Sequence, residues 1–254
     1  MSDVAPTTEP DPPVDEIVDV RDVEDLSPPS LVVVPELERA ADAGLATYGS
    51  AWARALKRSM DVVGSVVLLA LLLPIALLIA LAIAVESRGP VVFVQKRAGR
   101  GGKPFSLVKF RTMVRNGDAA LAEALANDAE LRREWEQWRK LRHDPRVTRV
   151  GRFLRRFSLD ELPQILNVLI GNMSLVGPRP VMEDELRYFG DLADAVLSVR
   201  PGLTGRWAVS GRSEVSYDER VELEYDYATT WSPLGDIGIL LRTIPAVFRG
   251  HGAY

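Results

Sequence analysis

The chain has no cysteine and two histidines, His143 and His251. The first absence removes disulfides, thiolate metal sites and cysteine nucleophiles, and the second leaves too little imidazole for a histidine-based triad or zinc site. Aromatic residues are missing from the start of the chain, and cations nearly so: residues 1–30 hold nine acids against Arg21, with six prolines. Such a stretch cannot bury enough apolar surface to offset the entropy of ordering, so residues 1–40 are expected to be a disordered acidic tail. They also lack the cationic start and short apolar core of a secretory signal. Residues 1–30 carry −8 in a chain whose net charge is −4, which leaves +4 on the remainder. A mildly basic remainder suits an anionic partner such as a phosphate ester or a lipid surface.

Charge is missing again over residues 62–85, between Asp61 and Glu86, where sixteen of the residues are Leu, Ile or Val. On an insertion scale these favour the bilayer by about 5 to 10 kcal/mol before Pro74, Gly64 and Ser65 are counted against them. A soluble core helix that is apolar on every face would need wrapping on all sides. Straight, the run reaches roughly 36 Å, enough for a hydrocarbon core of about 30 Å. Pro74, at its middle, removes one backbone hydrogen bond and bends the helix. Lys57 and Arg58 precede the run, and Arg88, Lys96, Arg97, Arg100 and Lys103 follow it, so both ends carry the cations of a cytoplasmic face. A helix that enters, kinks at Pro74 and returns to the same face satisfies both facts; a kinked span is the alternative.

Beyond Gly89-Pro90 the pattern changes. Residues 91–95 read as a strand, 96–105 as a glycine-rich cationic turn and 106–113 as a second strand, together a hairpin. Gly99, Gly101 and Gly102 would let backbone N–H groups approach an oxyanion, although a solvated turn is the plainer reading. Residues 118–142 read as one long helix, with Trp135 and Trp138 on one face for packing or membrane-interface anchoring. The following stretch to 157 brings Arg146, Arg149, Arg152, Arg155 and Arg156. Guanidiniums projecting together from such a run suit a diphosphate, through paired N–H forks.

In "SLDELPQ" (158–164), Ser158 and Glu161 fit a capping box, and Phe157 with Leu162 fit its hydrophobic staple. Asp160 is surplus to that cap. At a helix start beside arginines it is expected to stay ionised, as a carboxylate nucleophile attacking phosphorus requires. Glu161 is the candidate magnesium ligand, and capping and metal binding compete for it. Further on, Gly177-Pro178-Arg179-Pro180 fixes one arginine between two prolines, which points to an anion contact. Arg200 stands before another proline. Residues 234–254 suit a packing helix or one lying on a membrane.

These stretches resemble the bacterial sugar transferase family, the monotopic phosphoglycosyl transferases. The resemblance covers about residues 55 to 254 and rests on "KRSMDVVGS", the proline-interrupted apolar segment, "KFRTM", "DPRVTRVGRFLRRFSLDELPQILNVLIGNMSLVGPRP", "RPGLTG", "SGRS" and "GAY". It implies a UDP-sugar donor, a polyprenyl phosphate acceptor, magnesium, and Asp160 as a nucleophile that forms a covalent phosphosugar with release of UMP. It also implies Glu161 as the magnesium ligand, Arg155 and Arg179 as phosphate-binding arginines, and a re-entrant helix broken at Pro74. Lys109 and Arg111 of "KFRTM" and Arg200 complete the candidate phosphate contacts. Two positions depart from the family pattern: Leu73 where relatives often have serine, and Ala208 where they often have glutamine.

The expected fold is α+β and mostly helical. A membrane-embedded re-entrant helix (41–89 with its lead-in) precedes a cytosolic catalytic domain (90–254) with a small β-hairpin or sheet. The expected place is the bacterial inner membrane, with the catalytic domain on its cytoplasmic face. Partners are donor, acceptor and membrane lipid, with no nucleic acid and with a homo-oligomer left open. The competing functions are a non-catalytic membrane adaptor and a magnesium-dependent phosphohydrolase.

Overall fold

The computed structural model describes residues 51–138, 141, 143–211 and 215–249. The expected acidic tail, the lead-in over 41–50 and the terminal "GAY" lie outside the described residues. The apolar run lies within helix α1, Ala51–Glu86. Among the described residues it is the one helix long and apolar enough to cross a membrane; its most apolar window has a mean hydropathy of 3.2 and is 11% buried. Leu71, Leu77, Leu78, Leu81 and Val85 are exposed, against the wrapping that a soluble core helix needs. Pro74 lies inside α1 and does not end it.

Both ends of α1 are fastened to the same body. Near its start, Lys57 and Asp61 are buried, and the Arg58 guanidinium donates to the carbonyls of Val168 and Leu169 at 2.6 Å each. Near its end, Ile79 and Ile83 pack with Phe110 and Leu154, and Glu86 accepts from the amides of Arg149 and Val150.

Strands β1 (Val92–Ala98) and β2 (Pro104–Phe110) form the antiparallel hairpin, from Val92 opposite Phe110 to Ala98 opposite Pro104. The strands run further into the cationic stretch than the sequence implies, because Lys96 and Arg97 pair with Ser106 and Phe105. The turn is closed by its own backbone: the amides of Gly99, Gly102 and Lys103 donate within it, so two of the three glycine N–H groups considered for an oxyanion are already engaged. Gly101 and Gly102 take positive φ there, the conformation glycine adopts without a Cβ penalty.

The single helix expected over 118–142 is two: α2 (Gly117–Asn127) and α3 (Ala129–Trp138). Asp128 breaks it by leaving the helical region, and its carboxylate accepts from the amides of Glu130 and Leu131, capping α3. Trp135 receives the Arg146 guanidinium on its ring, 5.3 Å from the centroid.

Helix α4 (Arg149–Arg156) starts at Thr148, whose hydroxyl accepts from the Gly151 amide at 2.9 Å. A 3-10 turn, Leu159–Glu161, leads into α5 (Gln164–Ile170) and the short strand β3 (Ser174–Val176). After a long 3-10 segment and α6 (Ala193–Leu197), β4 (Gly202–Thr204) pairs with β3 in parallel. The two strands come close because three glycines permit it. A Cβ on Gly177 would lie 2.4 Å from the Arg200 carbonyl, one on Gly202 2.1 Å from the Gly177 nitrogen, and one on Gly205 2.2 Å from the Gly177 carbonyl. The chain then forms α7 (Arg206–Val209), α8 (Tyr217–Thr230) and α9 (Pro233–Arg249). The main core joins the hairpin, α5, β3, α8 and α9 through Leu107, Val168, Met173, Val176 and Tyr227.

Candidate active site

The carboxylate pair is positioned by what flanks it. Ser158 takes the left-handed conformation, φ 54° and ψ 26°, and turns the chain out of α4. This corrects the capping reading: the Ser158 side chain makes no cap hydrogen bond, and α5 begins later, after Pro163. Phe157 packs on Phe153, while Leu159 and Leu162 pack on the cluster that includes Ile79 and Ile83 of α1. Asn167 clips α5 to β2 by accepting from the Val108 amide at 3.1 Å and donating to the Ser106 carbonyl at 2.7 Å. The acids of the 3-10 turn are thereby held against Lys109 on the same strand.

Lys109 Nζ lies 3.6 Å from Glu161 Oε1, and an Arg179 Nη lies 3.7 Å from the same oxygen. Burial pushes the Asp160 carboxyl above its ordinary pKa and neighbouring Glu161 adds to this, while Lys109 and Arg155 pull it back. Desolvation outweighs the cationic neighbours, so Asp160 ionises less readily than a free aspartate. Burial also lowers the Lys109 pKa, against the pull of Glu161. Arg155 is fixed by its Nε donating to Thr112 Oγ1 at 2.9 Å.

Of the arginines in 143–157, Arg155 is the one turned to Asp160. Arg149, Arg152 and Arg156 are exposed, and Arg146 is paired with Asp144, so the run does not converge as one cluster. Two further candidates donate to backbone carbonyls. Arg111 is buried and donates to the carbonyls of Ser87 and Pro90 and to the Ser87 hydroxyl, tying β2 to the exit of α1. Arg200 donates through Nε to the Gly171 carbonyl at 2.8 Å, bracing the loop after α5.

Asp160, Glu161, Lys109, Arg155 and Arg179 open onto one cleft of about 1390 Å³, which Arg111 also lines. That exceeds the volume typical of a site for one small ligand. Its apolar wall comes from α1, with Val67 and Leu72, and from α9, with Ile244 and Phe248. Among the described residues no group of three acid, histidine or cysteine side chains converges on a metal position. Asp160 and Glu161 alone offer adjacent carboxylates, a donor set that fits magnesium taking most of its oxygens from substrate phosphates and water.

Two cleft residues carry no role in the sequence reading. Trp207 lies against two guanidiniums, those of Arg179 at 4.9 Å and Arg220 at 5.2 Å from its ring centroid. Glu224 of α8 is 1% exposed and accepts from the Arg179 amide at 3.0 Å. Its signal in the sequence is spacing, since it shares one helix face with Val221 and Ala228, which are also buried.

An exposed apolar helix is the mark of a membrane-associated protein, and beside it an acid pair stands among cations. The pattern of the bacterial sugar transferases matches residues 52–250, and the chain belongs to that family. It is 47% identical over 201 residues to the undecaprenyl-phosphate galactose phosphotransferase of Salmonella typhimurium, covering 79% of this chain and 42% of that protein. It is 46% identical over 198 residues to the exopolysaccharide production protein ExoY of Sinorhizobium fredii, covering 78% and 88%. With the UDP-glucose:undecaprenyl-phosphate glucose-1-phosphate transferase of Caulobacter vibrioides it shares 42% identity over 207 residues, covering 78% and 72%. The chain thus spans 42% of the length of the Salmonella relative and most of ExoY.

Proposed function

We propose that this chain moves a sugar-1-phosphate from a UDP-sugar to polyprenyl phosphate, undecaprenyl phosphate in particular, through a covalent intermediate on Asp160. The observation that carries the reading is Asp160 among Lys109, Arg155 and Glu161, in a cleft whose apolar wall is the exposed helix α1. An Asp160 carboxylate oxygen attacks the sugar-bearing phosphorus; the bond from that phosphorus to the bridging oxygen breaks, and its electron pair leaves with UMP. A phosphate oxygen of the acceptor then attacks the same phosphorus, the bond to Asp160 breaks, and polyprenyl-diphosphate-sugar leaves a free carboxylate.

Lys109 and Arg155 favour the ionised Asp160 that the first step needs. Arg179, held by the Glu224 carboxyl at its amide, carries its guanidinium on Trp207 toward the diphosphate. Magnesium, held by Glu161 and the donor's phosphates, would supply neutralisation of charge on the transferring phosphoryl group. The names of the Salmonella and Caulobacter relatives support the acceptor class, and that of the Caulobacter relative supports the donor class. The product would be the first membrane-bound unit of an exopolysaccharide or related glycan.

Both ends of α1 rest on the catalytic body, and the stretch between its buried positions Ser65 and Ile79, residues 66–78, is about 20 Å long. That is shorter than a hydrocarbon core of about 30 Å, which favours a helix that enters and returns on one face over one that crosses. The proposed place is the inner membrane, with the site facing the cytoplasm. A phosphohydrolase needs room for water alone, and an adaptor needs no cations gathered at Asp160.

Incubation with UDP-hexose labelled in the sugar-bearing phosphate, together with magnesium, should leave label on the protein and pass it to added undecaprenyl phosphate. Asp160→Asn should lose both. Transfer by that variant at the wild-type rate would remove Asp160 from the mechanism, and release of labelled sugar phosphate to water, without transfer to lipid, would favour the hydrolase.

A further inference from the structure

Glu224 is a carboxyl group with one oxygen in use and one without a partner. Its Oε1 accepts from the Arg179 amide at 3.0 Å, while Oε2 is buried and has no hydrogen-bond partner among the described residues. The side chain reaches the cleft from beneath the Gly177-Pro178-Arg179-Pro180 loop, close to Gly205, where a Cβ would lie 3.9 Å from Oε2. The loop is pinned from both sides: two prolines limit its backbone, and the Arg179 guanidinium rests on Trp207. Arg220, on the same helix as Glu224, also lies over the Trp207 ring, 5.2 Å from its centroid, and is itself paired with Glu185 at 3.4 Å.

A structural hydrogen bond to one amide does not require an acid. Glutamine offers the same acceptor without the cost of burying a charge, and an ionised carboxylate at this depth is expensive unless it is paired. What an acid adds is a charge that can be present or absent. Ionised, Glu224 offsets part of the positive field of Arg179 and Arg220, the two cations that face it from the loop and from its own helix. Neutral, it leaves that field to an anion in the cleft while still accepting from the Arg179 amide.

We propose that Glu224 is a positioning residue for Arg179, holding its backbone under the cleft and taking up a proton when the donor diphosphate binds. The inference rests on the proposed donor class and goes beyond it by coupling donor binding to a proton at a residue that does not touch the reacting atoms. Burial already lifts the Glu224 pKa to about 7, where a small added field from a bound anion changes its occupancy.

The test uses full-length wild type, Glu224→Gln and Glu224→Ala in detergent, with UDP-glucose and UDP-galactose as probes. Their diphosphate diester keeps the same charge between about pH 6 and pH 8, so the ligand itself contributes no titration. Titration calorimetry in two buffers of different ionisation enthalpy reads the protons taken up on binding. Near neutral pH the wild type should take up more protons than Glu224→Gln, and its affinity should fall severalfold from the lower to the higher pH. Glu224→Gln should hold the wild-type low-pH affinity throughout, because it keeps the acceptor for the Arg179 amide. Glu224→Ala should bind weakly at every pH, with KM for the donor raised more than kcat is lowered. Equal proton uptake in the wild type and Glu224→Gln, with donor binding intact, would overturn the proposal and leave the transferase reading standing. Failure of the wild type to bind either UDP-hexose would overturn both.

Discussion

At Asp160 the neighbouring cations and the surrounding protein act in opposite directions, and the protein wins. Burial and Glu161 raise the carboxyl pKa; Lys109 and Arg155 lower it by less. A nucleophile must be ionised, so activity in the proposed reaction rises with pH through the Asp160 pKa. Removing a cation that favours the ionised form raises that pKa further. Arg155→Ala should therefore move the acid limb of the kcat/KM profile to higher pH, and Lys109→Met should do the same; a limb that stays in place would mean that another group sets it. Glu224 gives a stability prediction with its own sign. Its pKa rises from 4.5 to about 7 on folding, so the native state carries no penalty below the lower value and the full cost of a buried charge above the higher. That cost is on the order of 3 kcal/mol. Relative to wild type, Glu224→Gln should gain thermal stability as pH rises from about 5 to 8, with most of the gain reached once Glu224 is ionised. Asp160 stood out in the sequence as the acid surplus to a cap pattern, and Arg179 as the arginine between two prolines. Glu224 was not, because a glutamate in "YDERVELEYDYATT" reads as a solvated position until the helix is placed on its neighbours.

Among the elements, α1 is held at its entrance by a buried ionic cluster. Lys57 Nζ lies 2.7 Å from Asp236 Oδ2 of α9 and 3.3 Å from Asp61 Oδ1, and donates to the Val176 carbonyl at 3.0 Å. Asp61 Oδ1 also accepts from the Ser174 hydroxyl and the Leu175 amide, and Trp231 Nε1 donates to Asp236. All three charged side chains are at most 4% exposed, so none is free to exchange its partner for water. Lys57→Ala leaves two buried carboxylates facing each other and should cost roughly 3–5 kcal/mol, seen as a lower unfolding temperature in detergent. Unchanged stability would mean that the site rehydrates. The sequence marked α1 by its missing charges and the hairpin by two strand-like runs around a glycine-rich turn. The α2–α3 break escaped it because Asp128, between Asn127 and Ala129 in a helix-forming stretch, gives no signal of its own until its carboxylate is seen capping the next turn.

For the molecule as a whole, the decisive relation is between α1 and the body that holds the site. Arg58 binds carbonyls at the end of α5, and Glu86 binds amides at the start of α4, so the two ends of one helix are fixed to one unit. A spanning helix would have to place one of those contacts beyond a hydrocarbon layer of about 30 Å. In the proposed re-entrant arrangement the exposed side chains between them, Leu71, Leu77 and Leu78 among others, would meet lipid while the cations around the run stay on one side. Because the chain has no cysteine, single thiols report this without background. Ser30→Cys before α1 and Lys103→Cys in the hairpin turn should both resist a membrane-impermeant maleimide added to intact cells, and both should react once the inner membrane is opened. Labelling of one and protection of the other would mean that α1 crosses the bilayer. Labelling of both in intact cells would place the site on the outer face, away from cytoplasmic nucleotide sugars.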